Sequence, residues 1–151
     1  MRCPNSFISL LFFLPVTAGI AVAQENVYVG AERCRSCHVK AYDVWTRSQH
    51  ARAQASLPES RRGELRCLFC HATDTQANLV DYAWRNVQCE ACHGAGNRHI
   101  ALAVKNAEKV AITGSLEQGN EQKCRNCHGD IRSPNIRPFN YANAVQRIRH
   151  W

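Results

Sequence analysis

Apolar positions are spread unevenly along this chain. From Phe7 to Val22 they form a nearly continuous run, preceded by Arg2 and closed by the small residues Ala21-Val22-Ala23. A basic start, an apolar stretch and a small-residue end predict a cleaved signal peptide over 1–23, a mature domain over 24–151, and a periplasmic or extracellular location. The run is shorter than the roughly 20 apolar residues of a spanning helix, and Pro15 and Thr17 interrupt it. No second apolar span follows, so no stable membrane insertion is expected. Beyond it, Tyr42, Trp45 and Gln49 recur on one helical face, predicting a helix over 39–57 that carries His50 and stops before Pro58. A second helix is predicted over 99–112, opened by His99, and a third over 140–150, capped by Asn140 and closed by His150. Leu79 to Val87 is the one plausible extended segment, while Gly63, Gly94, Gly96, Pro134 and Pro138 punctuate loops. The pattern predicts a mainly α domain with little β.

The predicted mature part has few large aliphatic residues and many Arg, Asn, Gln and Ala, too few apolar side chains for a self-sufficient core. Something else must fill the interior. Cys3 lies in the predicted signal, and the other cysteines fall as Cys34-Arg-Ser-Cys37-His38, Cys67-Leu-Phe-Cys70-His71, Cys89-Glu-Ala-Cys92-His93 and Cys124-Arg-Asn-Cys127-His128. An even number of cysteines in an exported chain would ordinarily suggest disulfides, and paired C-x-x-C also suits zinc or a redox dithiol. The histidine after every pair decides otherwise. With 7 histidines in 151 residues, that coincidence has a probability on the order of 10⁻⁵.

C-x-x-C-H is the attachment signature of c-type haem, in which the two thiols bond the macrocycle and the histidine ligates iron. Four such sites predict four covalent haems that fill the core of a small multihaem domain. The proximal histidines are too irregularly spaced for a solenoid repeat. Packed into so short a chain, the haems must lie close enough for electrons to hop between them.

Four irons have eight axial positions, of which His38, His71, His93 and His128 take four. Only His50, His99 and His150 remain as further histidines, and the sole methionine is Met1, within the predicted signal. Three imidazoles must therefore serve four irons as distal ligands, without the methionine ligation that raises haem potentials.

The chain resembles the tetrahaem cytochrome c-554 family, electron carriers of ammonia-oxidising bacteria. The likeness rests on the four haem motifs, on Tyr42-x-x-Trp45-x-x-Ser48-x-His50-Ala51, and on Cys89-x-x-Cys92-His93-Gly94-x-Gly96 with His99. It implies three bis-histidine haems, pairing His38 with His99, His93 with His150 and His128 with His50, and one haem, that of His71, open on its distal face. It also implies a donor resembling hydroxylamine oxidoreductase. The chain is shorter than typical members after its fourth motif, so the His150 assignment carries least of the likeness.

The formal charge of +7, or +6 once Arg2 is removed, would ordinarily raise nucleic acid or anionic membrane as partners. Eight propionates add about −8 and four ferric centres about +4, which leaves roughly +2 oxidised and −2 reduced. Nucleic acid is thereby excluded. Arg61, Arg62, Arg132, Arg137, Arg147 and Arg149 are expected to be solvated or to pair with propionates, with a docking patch for an acidic redox partner as the alternative. The expected function is electron transfer between redox proteins. The alternatives are reduction of a small nitrogen oxide at the open haem of His71, and a head-to-tail filament in which His150 ligates a neighbouring subunit's haem.

Overall fold

The computed structural model describes residues 25–75, 84–105, 114–129 and 138–150, together with 109 and 112. The predicted signal and most of the predicted extended segment lie outside them. Among the described residues there are seven short α-helices: α1 Ala31–Arg35, α2 Val39–Arg47, α3 Leu65–His71, α4 Cys89–His93, α5 Asn97–Val104, α6 Glu121–His128 and α7 Tyr141–Ile148. No strand occurs among them; Ala72 makes isolated bridges to Arg85 and Asn86. The protein is mainly helical, and no described helix is long and apolar enough to cross a membrane.

Each cysteine motif forms a helical turn. In the first, His38 N–H donates to the Cys34 carbonyl at 2.9 Å, just beyond α1; the other three lie at the ends of α3, α4 and α6. The helical pitch brings residues i, i+3 and i+4 to one side, so both thiols and the imidazole share a face.

The predicted helix over 39–57 is broken. α2 ends at Arg47, because Ser48 turns to extended backbone (φ −79°, ψ 162°), and 3₁₀ turns follow at His50–Arg52, Gln54–Ser56 and Glu59–Arg61. The Ser48 hydroxyl replaces the missing helical bonds by donating to the Trp45 carbonyl at 2.7 Å and accepting from Ala51 N–H at 3.4 Å. His50 therefore stands on a separate turn, aimed independently of α2.

The predicted second helix begins two residues early, at Asn97, and its described run ends at Val104. The third matches at its start. The Asn140 side chain accepts from Asn143 N–H at 3.0 Å as the expected N-cap, but α7 stops at Ile148 and leaves His150 beyond an extended Arg149.

Side-chain packing supplies little core. Ala31, Leu68 and Ala72 are the buried apolar residues among those described, while Val27, Val39, Leu65, Phe69 and Val104 are exposed. Polar bonds tie the segments instead. Glu90, only 3% exposed, accepts from the backbone N–H groups of Val29 (2.9 and 3.0 Å), Gly30 (2.8 Å) and Gly96 (2.7 Å). A side chain at Gly96 would bring its Cβ to 3.1 Å from that carboxylate. Residues 84–88 bind the first half of the chain: Trp45 Nε1 donates to the Val87 carbonyl at 2.8 Å and Val87 N–H to the His50 carbonyl at 3.1 Å. The Gln88 side chain accepts from Ala31 N–H at 2.8 Å.

Candidate haem sites

The fold brings six of the seven histidines together in pairs. Ring centroids are 6.0 Å apart for His38 and His99, 6.0 Å for His50 and His128, and 5.9 Å for His93 and His150, with ring planes crossing at 32°, 54° and 75°. These are the pairs that the family resemblance implies. Direct ring stacking is closer. An imidazole nitrogen bonds a metal at about 2 Å, and the ring centre lies about 1 Å behind it, so two imidazoles on opposite faces of one iron have centroids about 6 Å apart. The spacing thus fits a six-coordinate iron between each pair.

Three of the six paired rings are aimed through their second nitrogen. His93 Nδ1 lies 3.0 Å from the Glu117 carbonyl, His99 Nδ1 3.0 Å from the Ile112 carbonyl and 3.1 Å from Ser115 Oγ, and His150 Nδ1 2.8 Å from the Ile148 carbonyl. Donation from Nδ1–H fixes the tautomer and leaves Nε2 for the metal. Burial pushes the pKa values of His50 and His128 down, and for His50 the nearby His128 adds to it, which favours the neutral, ligating imidazole.

His71 differs from the other six. Its Nδ1 lies 2.5 Å from the Ala53 carbonyl and 3.4 Å from Ser56 Oγ, an anchor like those of the paired rings. Among the described residues, no second imidazole faces it.

The thiols also fit covalent attachment. All eight cysteines after the predicted signal are unbridged. A cavity beside the third motif is lined by Ala41, Val44, Trp45 and Ile148 together with Cys92 and His93, an apolar wall facing a thiol and an imidazole. The four motifs are near neighbours. Cys89 shares a hydrogen bond with Cys34, which raises the Cys89 pKa, as burial also does, and lowers that of Cys34. Cys92 is pushed up by burial and then by the charge of Cys124, and Cys124 by its own burial. Cys127 Sγ reaches the Phe69 carbonyl in the second motif at 3.9 Å.

The arginine expectations divide. Arg61 pairs with Glu64 at 3.4 Å, and Arg62 donates to the Leu57 and Ala55 carbonyls, so both brace the loop before α3. Arg132 and Arg137 lie outside the described residues. Glu90, Glu117 and Phe139, which stacks on His128, escaped the sequence reading: no spacing rule marks an acid inside a haem motif or an aromatic in a loop.

Thiol pairs with an adjoining histidine, in a helical fold with a thin side-chain core, define a c-type cytochrome, which carries covalent haem iron. The family described as Cytochrome c554 and c-prime matches residues 33–94. Over 147 residues the chain is 24% identical to cytochrome c-554 of Nitrosomonas europaea, an alignment covering 75% of this chain and 62% of that protein. Both matches are to cytochrome c-554 and its family, which this chain resembles. No solved structure matches.

Proposed function

We propose that the chain is an exported tetrahaem electron carrier, with three irons held by the pairs His38–His99, His50–His128 and His93–His150, and a fourth held by His71 and open on its other side. The observation that carries this reading is the common 6 Å spacing of the three pairs, drawn from distant parts of the chain. Each haem, when bound, supplies one-electron transfer between ferric and ferrous iron. The chain's part is to bring the attachment points close. The approach of Cys34 to Cys89, the ion pair of Lys123 with Glu117 beside His93 and the contact of Cys127 with Phe69 support the order first, third, fourth, second motif. Electrons would then enter and leave at the first and second motifs, exchanged with redox-protein partners in the periplasm or outside the cell.

Electron paramagnetic resonance of the oxidised holoprotein tests the ligation, alongside a haem-to-protein ratio. Four haems with three low-spin irons and one high-spin iron are expected. Fewer haems, or four low-spin irons in an isolated monomer, would sink the reading.

That no second imidazole faces His71 among the described residues favours a second reading at the same site, in which the iron binds and reduces a small nitrogen oxide. Nitric oxide or cyanide should then abolish the high-spin signal, and reduced protein should consume nitric oxide catalytically. Binding without turnover leaves the carrier function alone. The facing of His150 and His93 within one chain favours a self-contained carrier over a filament subunit.

A further inference from the structure

The ring of His128 is held differently from most of its counterparts. His71, His93, His99 and His150 are each fixed by a bond from Nδ1 to a backbone carbonyl, whereas His128 has no hydrogen bond from its ring among the described residues. Instead Phe139 lies against it, with centroids 4.7 Å apart and planes within 13° of parallel. Arg125, one turn earlier on α6 and therefore on the same face as His128, places its guanidinium 5.8 Å from the Phe139 ring centre. Glu121 anchors that guanidinium at 2.8 and 2.5 Å.

We propose that Phe139 is a positioning residue that fixes the ring plane of His128 and so sets the ligand field of the iron shared by His128 and His50. This inference rests on the ligation proposed above. An imidazole bound through one nitrogen turns about its metal bond unless its other nitrogen or its faces are held. Where a carbonyl holds the rings of His71, His93, His99 and His150, a parallel aromatic plate holds this one. The crossing angle of two axial imidazoles sets the splitting of the iron d orbitals, and with it the low-spin resonance. For His50 and His128 that angle is 54°. Phe139 also directly precedes Asn140, the cap of α7, whose far end leads to His150. The stack therefore links the element carrying a ligand of one iron to a ligand of the next.

The experiment is electron paramagnetic resonance on oxidised holoprotein. His50→Ala should abolish one low-spin resonance, which assigns it to the iron of His128. Phe139→Leu should broaden or displace that same resonance and leave the other two in place, because the freed ring takes a range of plane angles. Phe139→Tyr keeps the plate and should restore the wild-type line. A Phe139→Leu spectrum superimposable on wild type, with all haems present, would overturn the inference. If Phe139→Leu fails to accumulate, Phe139→Met, flexible and of similar volume, is read in the same way. A wild-type protein that loses no low-spin signal on His50→Ala refutes the ligation itself, and this inference falls with it.

Discussion

The rings of His93 and His150 face each other at 5.9 Å within a single chain, although His150 lies beyond the end of α7. On the ligation proposed above, the third haem site would be closed by His150 lying against the third motif. Replacing His150 by Ala is expected to convert one low-spin iron to high spin, reducing the low-spin count from three to two. Both proteins should run as monomers in size-exclusion chromatography over a range of concentrations. An unchanged spin count would show that the two rings do not share a metal.

Glu90 is expected to be the most sensitive acidic residue for stability. Its carboxylate satisfies the N–H groups of Val29, Gly30 and Gly96, and Glu90→Ala strands them at a cost of about 1–3 kcal/mol each. A loss of about 3 kcal/mol or more should appear in denaturant unfolding of the holoprotein. Glu90→Gln, which still accepts through one oxygen, should lose less. Equal stability of Glu90→Ala and wild type would remove the latch from the account.

Gly94 has φ 73° and ψ 177°, a conformation that glycine alone adopts without strain. Gly94→Ala should cost about 1–3 kcal/mol. An added Cβ would also lie 2.9 Å from Glu117 Oε1, and Glu117 backbone groups bracket His93: its N–H donates to the His93 carbonyl at 2.9 Å, and its carbonyl accepts from Nδ1 at 3.0 Å. The low-spin resonance lost in His150→Ala should therefore be the one that Gly94→Ala perturbs. A change in any other resonance would contradict this placement.

Asn140→Ala removes the cap of α7 and should lower stability by about 1 kcal/mol. Because α7 leads to His150, the variant should also open the third site to exogenous ligand more readily than wild type. Cyanide binding to the oxidised protein measures this directly. Identical binding in both proteins would mean that His150 is positioned without the helix.

Local rules were legible where the physics is local. The cap at Asn140 follows from side chains a few residues apart. The long helix over 39–57 failed because its apolar spacing continues through Ser48, while the break depends on a hydroxyl that competes for backbone partners and on the bonds from Trp45 and Val87 to distant segments. Glu90 looked like an incidental residue between two cysteines. Its role exists only because residues 29, 30 and 96 converge on it.

The chain's own letters determined the chemistry: helical pitch places two thiols and an imidazole on one face at every motif, and the histidine inventory limits how many irons can be closed on both sides. Which ring meets which is not a local property. The likeness to a family implied the three pairs, but the 6 Å approaches, their crossing angles and the anchoring of His71 on Ala53 arise only from the packing of sequence-distant segments. Spacing along a chain fixes what one turn can present, whereas the partner across a metal depends on where a remote turn comes to rest.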